Sequence, residues 1–218
     1  MKNMKKSIVL MCAAVVFAAT VAPLLAQSAK GWMVRADRST SASDPDGAGE
    51  IKFMAMGGGF HAVNPAAAVY WNPVNTASGN YTLNASFQLL KPSGHVNYYG
   101  LVLGGSNLDN DKQAYLYFLV GQNGTFMISR RTPDAPRPVA VVPRTANPAV
   151  KAPGADGTSV NALEVRVAGD KVDFVVNGTV VHSAAKADLG GTTDGIGGMR
   201  VNHQLEVMIT GFGIKAGS

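Results

Sequence analysis

The stretch "NALEVRVAGDKVDFVVNGTVVHS", residues Asn161 to Ser183, decides the fold. Leu163, Val165 and Val167 alternate with Glu164 and Arg166, the period of two expected of a strand with one buried face. "AGDK" then supplies a turn. Val172, Phe174 and Val176 point one way along a second strand. Asn177-Gly178 closes it, because both residue types tolerate the positive φ that a type I′ turn needs at its two central positions. "TVVHS" returns as a third strand, so local chemistry alone predicts a three-stranded meander.

The same logic extends outward. In "NYTLNASFQLLK" (80–91) the odd positions from Tyr81 to Leu89 are Tyr, Leu, Ala, Phe, Leu, and the even ones are all polar. "AYLYFLV" (114–120) is apolar on both faces. It predicts a central strand with protein on both sides, or with a shallow aromatic groove on one. "GQNG" and "TFMISRR" complete a hairpin with it. Further strands are predicted at "IKFMAM", "FHAV", "AAVYW", "YGLVLG", "GIGGMRV" and "ITGFGIK", and a helical turn or two at "SAAKADL" (183–189). Thr132 to Val160 holds six prolines and reads as a long surface excursion with an edge strand at "VAVV". About a dozen strands and almost no helix predict an all-β sandwich or barrel of two antiparallel sheets that cover each other's apolar faces.

The N-terminus bears on compartment. Lys2, Lys5 and Lys6 precede an apolar run from Ser7 to Ala26, the pattern of a secretory signal peptide cleaved after Ala26. The alternative is an uncleaved membrane anchor. Cys12, the only cysteine, follows Met11 rather than a small residue, so no lipidation is expected. The remaining residues, 27–218, are expected to form a single domain without disulfides, in the periplasm or outside a bacterial cell. Without the three leader lysines, 16 Lys+Arg face 14 Asp+Glu. No basic block is left that would suit nucleic acid, and no membrane contact is expected after cleavage.

The section from Asn161 to Ser183, followed by "GIGGMRV" and "VMITGFGIK", resembles the closing strands of the concanavalin A-like lectin/glucanase and laminin-G-like jelly rolls. With "GWMVR" and "AAVYWNP" as early strands, the chain is more narrowly similar to secreted bacterial 3-keto-disaccharide hydrolase domains. The resemblance spans roughly Trp32 to Lys215. It implies a jelly-roll sandwich and either saccharide binding or hydrolysis of 3-keto glycosides. The E-x-D-x-x-E strand of the glucanase branch is missing: Glu164 and Glu206 stand alone. Glucanase chemistry of that type needs two carboxyls about 5–5.5 Å apart.

Candidate site residues follow. Trp71, His95, Tyr98, Tyr99 and Arg200 lie near predicted strand ends. Aromatic faces stack on sugar rings while His and Arg bond hydroxyls; core packing is the competing role of each aromatic. On a regular strand Arg200 and Asn202 share one face, and Val201 and His203 share the other. Asn107, Asp109 and Asp111 alternate like the first ligands of a calcium loop, but Lys112 in sixth place and Phe118 in twelfth exclude an EF-hand. A looser calcium site or a solvated acidic loop remains. The four histidines show no H-x-H or H-x-x-x-H spacing, and without cysteine in residues 27–218 a zinc site has little support from sequence. No nucleophile elbow or phosphate loop occurs. The leading expectation is an exported carbohydrate-binding domain with a glycan or small saccharide as partner and no obligatory cofactor. The alternatives are a 3-keto glycoside hydrolase and a protein-interaction domain of the cell envelope.

Overall fold

The computed structural model describes residues 27–217; the signal peptide expected over residues 1–26 lies outside them. The strands are β1 (Gln27–Ser28), β2 (Met33–Asp37), β3 (Lys52–Met56), β4 (Gly59–Asn64), β5 (Ala67–Ala77), β6 (Tyr81–Lys91), β7 (Tyr98–Ser106) and β8 (Ala114–Gly121). They continue with β9 (Thr125–Arg131), β10 (Val139–Ala146), β11 (Ser159–Ala168), β12 (Lys171–Val176), β13 (Thr179–Ala185), β14 (Gly195–Val201) and β15 (Leu205–Ala216). A single 3₁₀ turn, Lys186–Leu189, interrupts them. Among the described residues no helix is long and apolar enough to cross a membrane.

Two antiparallel sheets form. One has the order β1-β3-β4-β15-β6-β11-β12-β13, the other β10-β9-β8-β7-β14-β5-β2. The meander of Asn161–Ser183 is present as β11-β12-β13, with Leu163 opposite Val176 and Val167 opposite Val172. Its turn has φ of 49° at Asn177 and 82° at Gly178. A Cβ on Gly178 would meet nothing within 4 Å, so only backbone strain opposes one. Gly178→Ala is therefore expected to lower stability by about 1–2 kcal/mol, the cost of a left-handed L-residue. Urea unfolding checks this, and a loss below a few tenths of a kcal/mol would mean that the turn relaxes.

The core lies between the sheets. Inward positions of β6 (Leu83, Phe87, Leu89) face Leu101, Leu103, Leu116 and Phe118 of the other sheet, all at most 1% exposed. Phe118 meets Phe174 edge-on with ring centroids 5.3 Å apart. The period of two seen in sequence is thus the inward and outward alternation of each strand.

The Pro-rich stretch 132–160 is not wholly loop. Eight of its residues form β10, paired to β9 at the rim of the seven-stranded sheet, with register shifts between Ala140 and Val142 and between Val142 and Thr145. Its later part is tied down by Asn161, which is fully buried. Asn161 Nδ2 donates to Lys151 O (2.9 Å) and to the Tyr99 hydroxyl (3.3 Å). Its Oδ1 accepts from Lys151 N (2.9 Å) and Asn177 Nδ2 (3.0 Å). Asn177 Nδ2 also donates to Ala149 O at 2.8 Å.

Candidate functional site

The outer face of the seven-stranded sheet is apolar and covered. Val69, Trp71, Tyr98, Val102, Tyr115, Tyr117 and Leu119 line it, and Leu108 from the β7–β8 loop packs on them. This corrects the aromatic platform expected from sequence. Trp71 is 3% exposed, Tyr98 1% and Tyr99 0%. Tyr99 points inward against Phe87, with ring centroids 5.7 Å apart. None of the three offers a free ring face to a ligand. Of the two readings of "AYLYFLV", protein on both sides is the one observed.

Arg200 also differs from expectation. It is on the outer face, but its side chain is only 11% exposed and is paired with the Asp37 carboxylate of β2. Its guanidinium lies 5.5 Å from the Tyr117 ring centroid and donates to the Tyr115 hydroxyl at 3.1 Å. Burial pushes the Asp37 carboxyl up. The charge and hydrogen bond of Arg200, with Arg131 and Arg35 beyond, more than offset this and hold it below its ordinary value. Burial likewise opposes the Arg200 charge, yet its neighbours, Tyr115 and Asp37 first, raise its affinity for the proton.

Asn107, Asp109 and Asp111 sit in the β7–β8 loop, and both aspartate side chains have partners within the protein. Asp111 pairs with Arg35 at 2.9 Å, and Asp109 accepts from Asn110 at 2.9 Å. Asn107 supplies a turn residue at φ 50° and a carbonyl for Asn110 N. These contacts fit the solvated-loop reading.

One end of this sheet holds a polar cleft of about 320 Å³, lined by Asp37, Asp44, His95, Asn97, Arg144, Arg200, Asn202 and His203 among others. Five chain segments meet there: the end of β2 with its following loop, the start of β5, the loop between β6 and β7, the rim strand β10, and the end of β14 with the hairpin to β15. The chain turns directly after Val201, with Gln204 at φ 57°. His203 is therefore not on a regular strand, and it shares the cleft with Arg200 and Asn202. The alternation argument failed here because the strand ends two residues too early.

Within the cleft Asp44 Oδ1 lies 2.9 Å from His95 Nε2 and 3.2 Å from His203 Nε2, and the two Nε2 atoms are 3.0 Å apart. Among the described residues this is the only group of three His, Cys, Asp or Glu arranged closely enough to hold a metal ion. His203 is buried, whereas Asp44 and His95 are exposed. Asp46 Oδ1 stands 3.2 Å from His203 Nδ1, and Asp46 Oδ2 accepts from Ser39 N at 3.1 Å. Gln204 Nε2 fixes the same loop by donating to Pro45 O at 3.0 Å. The His95 loop is clamped too: Gln122 bonds both the N–H and the carbonyl of Ser93.

Arg144 reaches the cleft over the Tyr98 ring, 5.1 Å from its centroid. Val96 at the mouth is 38% exposed. The Asn202 Oδ1 is buried without a hydrogen-bond partner in the protein. A larger depression of about 560 Å³ lies elsewhere, between Glu50, Lys52, Lys91 and Glu206 among others. It gathers no comparable set of converging side-chain atoms, so the smaller cleft is the candidate site.

The fold is a two-sheet antiparallel jelly-roll sandwich, and solved structures share it. A carbohydrate-binding module, CBM66 from Bacillus subtilis, is similar over 85% of this chain and 96% of its own, at 10% identity and a TM-score of 0.52. A protein of unknown function with a galectin-like fold, also from Bacillus subtilis, matches over 86% and 90% at 12% identity and a TM-score of 0.55. Alginate lyase A1-II′ matches over 86% and 95% at 11% identity and a TM-score of 0.52. No family model and no curated protein matches the sequence.

Proposed function

We propose that the protein is an exported carbohydrate-binding domain that takes a glycan or small saccharide in the polar cleft. The observation that carries this reading is the set of polar side chains, among them His95, Asn97, Arg144 and Asn202, that converge on one cleft. The Asn202 Oδ1 has no hydrogen-bond partner in the protein and meets a ligand hydroxyl once its side chain turns into the cleft. Arg144, Asn97 and His95 add polar partners around it, and Val96 offers an apolar contact for a ring face. The cleft volume is at the lower end of the roughly 300–1,000 Å³ of small-molecule sites. The carbohydrate-binding module among the similar folds supports the same ligand class.

Recognition here works by hydrogen bonding rather than by ring stacking, because the aromatics are buried. Arg144→Ala is the test. Its side chain is exposed, so the fold should survive with an unchanged melting temperature. Saccharides that bind the wild type in a glycan array and by calorimetry should bind the variant at least 10-fold more weakly, about 1.4 kcal/mol. No saccharide binding at millimolar concentration would overturn the reading. Fractionation of the source cells tests the export.

A catalytic reading has one observation in its favour: the exposed Asp44 carboxylate lies against the His95 imidazole, a pairing able to move a proton. Under this reading the cleft hydrolyses 3-keto glycosides. Incubation with 3-keto disaccharides and analysis of products decides it, and an unchanged substrate pool removes it.

A further inference from the structure

The three atoms at the base of the cleft present a problem of hydrogen-bond arithmetic. The Ser93 hydroxyl donates its one proton to the His95 carbonyl. Towards Asn97, 3.1 Å away, it can therefore only accept, which fixes the Asn97 amide with Nδ2 facing Ser93. The same Nδ2 stands 2.9 Å from His95 Nε2 and donates to it. His95 Nε2 is then unprotonated, and its single lone pair serves the Asn97 amide unless a stronger Lewis acid takes it. On the far side, His203 Nδ1 faces the Asp46 carboxylate and donates to it. In the neutral imidazole this leaves the lone pair on His203 Nε2. That atom faces His95 Nε2 at 3.0 Å and Asp44 Oδ1 at 3.2 Å. Three electron-rich atoms thus converge with no proton running from one to another, although the Asn97 amide proton approaches His95 Nε2 from one side. Either a metal cation takes the His95 lone pair from the Asn97 amide and sits among them, or a proton bridges them.

We propose that the cation is a divalent transition metal of the zinc class, held by Asp44 Oδ1, His95 Nε2 and His203 Nε2. A point about 2 Å from all three atoms exists for a triangle of these dimensions, and zinc bonds to imidazole nitrogen and carboxylate oxygen are about 2.0–2.2 Å long. Two imidazoles with one carboxylate favour zinc and its neighbours over calcium or magnesium, which prefer oxygen cages. Asp46 acts as the positioning carboxylate. It holds His203 in the tautomer that offers Nε2, while the Ser39 N–H holds Asp46. Three protein ligands leave a coordination position for water or a substrate oxygen. Such a metal site follows from the cleft's geometry and is independent of any saccharide.

The test is a zinc titration of the purified, chelator-treated protein in the absence of sugar, by calorimetry and by elemental analysis after dialysis. One zinc per chain with micromolar or tighter affinity is expected. At 100-fold saturation the melting temperature should rise by roughly 5–10 °C and fall back with chelator. Asp44→Asn and His95→Ala, both at exposed side chains, should keep the metal-free melting temperature and lose affinity at least 10-fold. Asp46→Asn should weaken binding about 10–100-fold, the range for such outer carboxylates. Cobalt(II) should give visible absorption bands in the wild type that His95→Ala lacks. No binding at millimolar zinc, or binding that Asp44→Asn and His95→Ala leave intact, would overturn the proposal in favour of a doubly protonated His203 bridging Asp44 and Asp46.

Discussion

Replacing Asn161 by alanine is expected to cost about 3 kcal/mol and to lower the melting temperature by roughly 6–12 °C. The reasoning is one of orphaned partners. All four hydrogen-bonding positions of this side chain are used, and it is completely buried. The substitution strips the Lys151 N–H and carbonyl of their shared partner and leaves an Asn177 amide proton unmet. An orphaned buried group costs about 1–3 kcal/mol, and these bonds are part-buried, so the lower end applies to each. Asn161→Leu should do no better, since filling the volume supplies no donor. The loss should also be local in its first effect: amide exchange across 147–158 should quicken before the strands do. Denaturant unfolding with exchange mass spectrometry checks both. A loss under 1 kcal/mol would show that water enters and replaces the amide.

The second large effect concerns the charge pair beneath the cleft. Asp37→Leu leaves the Arg200 guanidinium mostly buried, with only the Tyr115 hydroxyl and the Tyr117 ring face for company. Removing one member of a buried pair costs about 3–5 kcal/mol. Asp37 is a quarter exposed, so about 3 kcal/mol is expected. Adding Arg200→Met should return much of the loss, because an apolar pair carries no desolvation cost. The pair also has a pH signature. The folded Asp37 carboxyl is held below its unfolded value of about 3.9, so it binds protons less readily folded than unfolded. Its stabilising contribution is full above about pH 4 and fades as pH falls below that. The gap between wild type and Asp37→Leu should therefore narrow in acid. A gap constant from pH 7 down to pH 2 would place the effect in packing rather than charge.

What could be read in the sequence, and what could not, divides along a physical line. Period-two alternation is a local signal, so β6 and β11 were plain from Tyr81–Leu89 and Leu163–Val167. The Asn177-Gly178 turn was equally plain, since its backbone demand is met by residue type alone. Burial of Trp71 and Tyr98 was not, because an outward-facing aromatic is exposed or covered according to a loop elsewhere. Here the cover includes Leu108. The doubly apolar "AYLYFLV" carried the hint that both faces are dry. The cluster of Asp44, His95 and His203 was out of reach for another reason. Its members come from three separate loops, and 108 residues part the two histidines, so no spacing rule can register them. Only the closing of the sheets brings them together.

Pro143 in β10 has a consequence for solubility. A strand at the rim of a sheet exposes a row of unpaired backbone groups, and another chain can dock on them and extend the sheet without limit. Proline has no amide proton to offer such a visitor. It sits where the pairing with β9 is already irregular, between Val142 and Thr145. Fibre growth from that border is thus discouraged twice over, by a missing donor and by a break in the straight run that a templated neighbour needs.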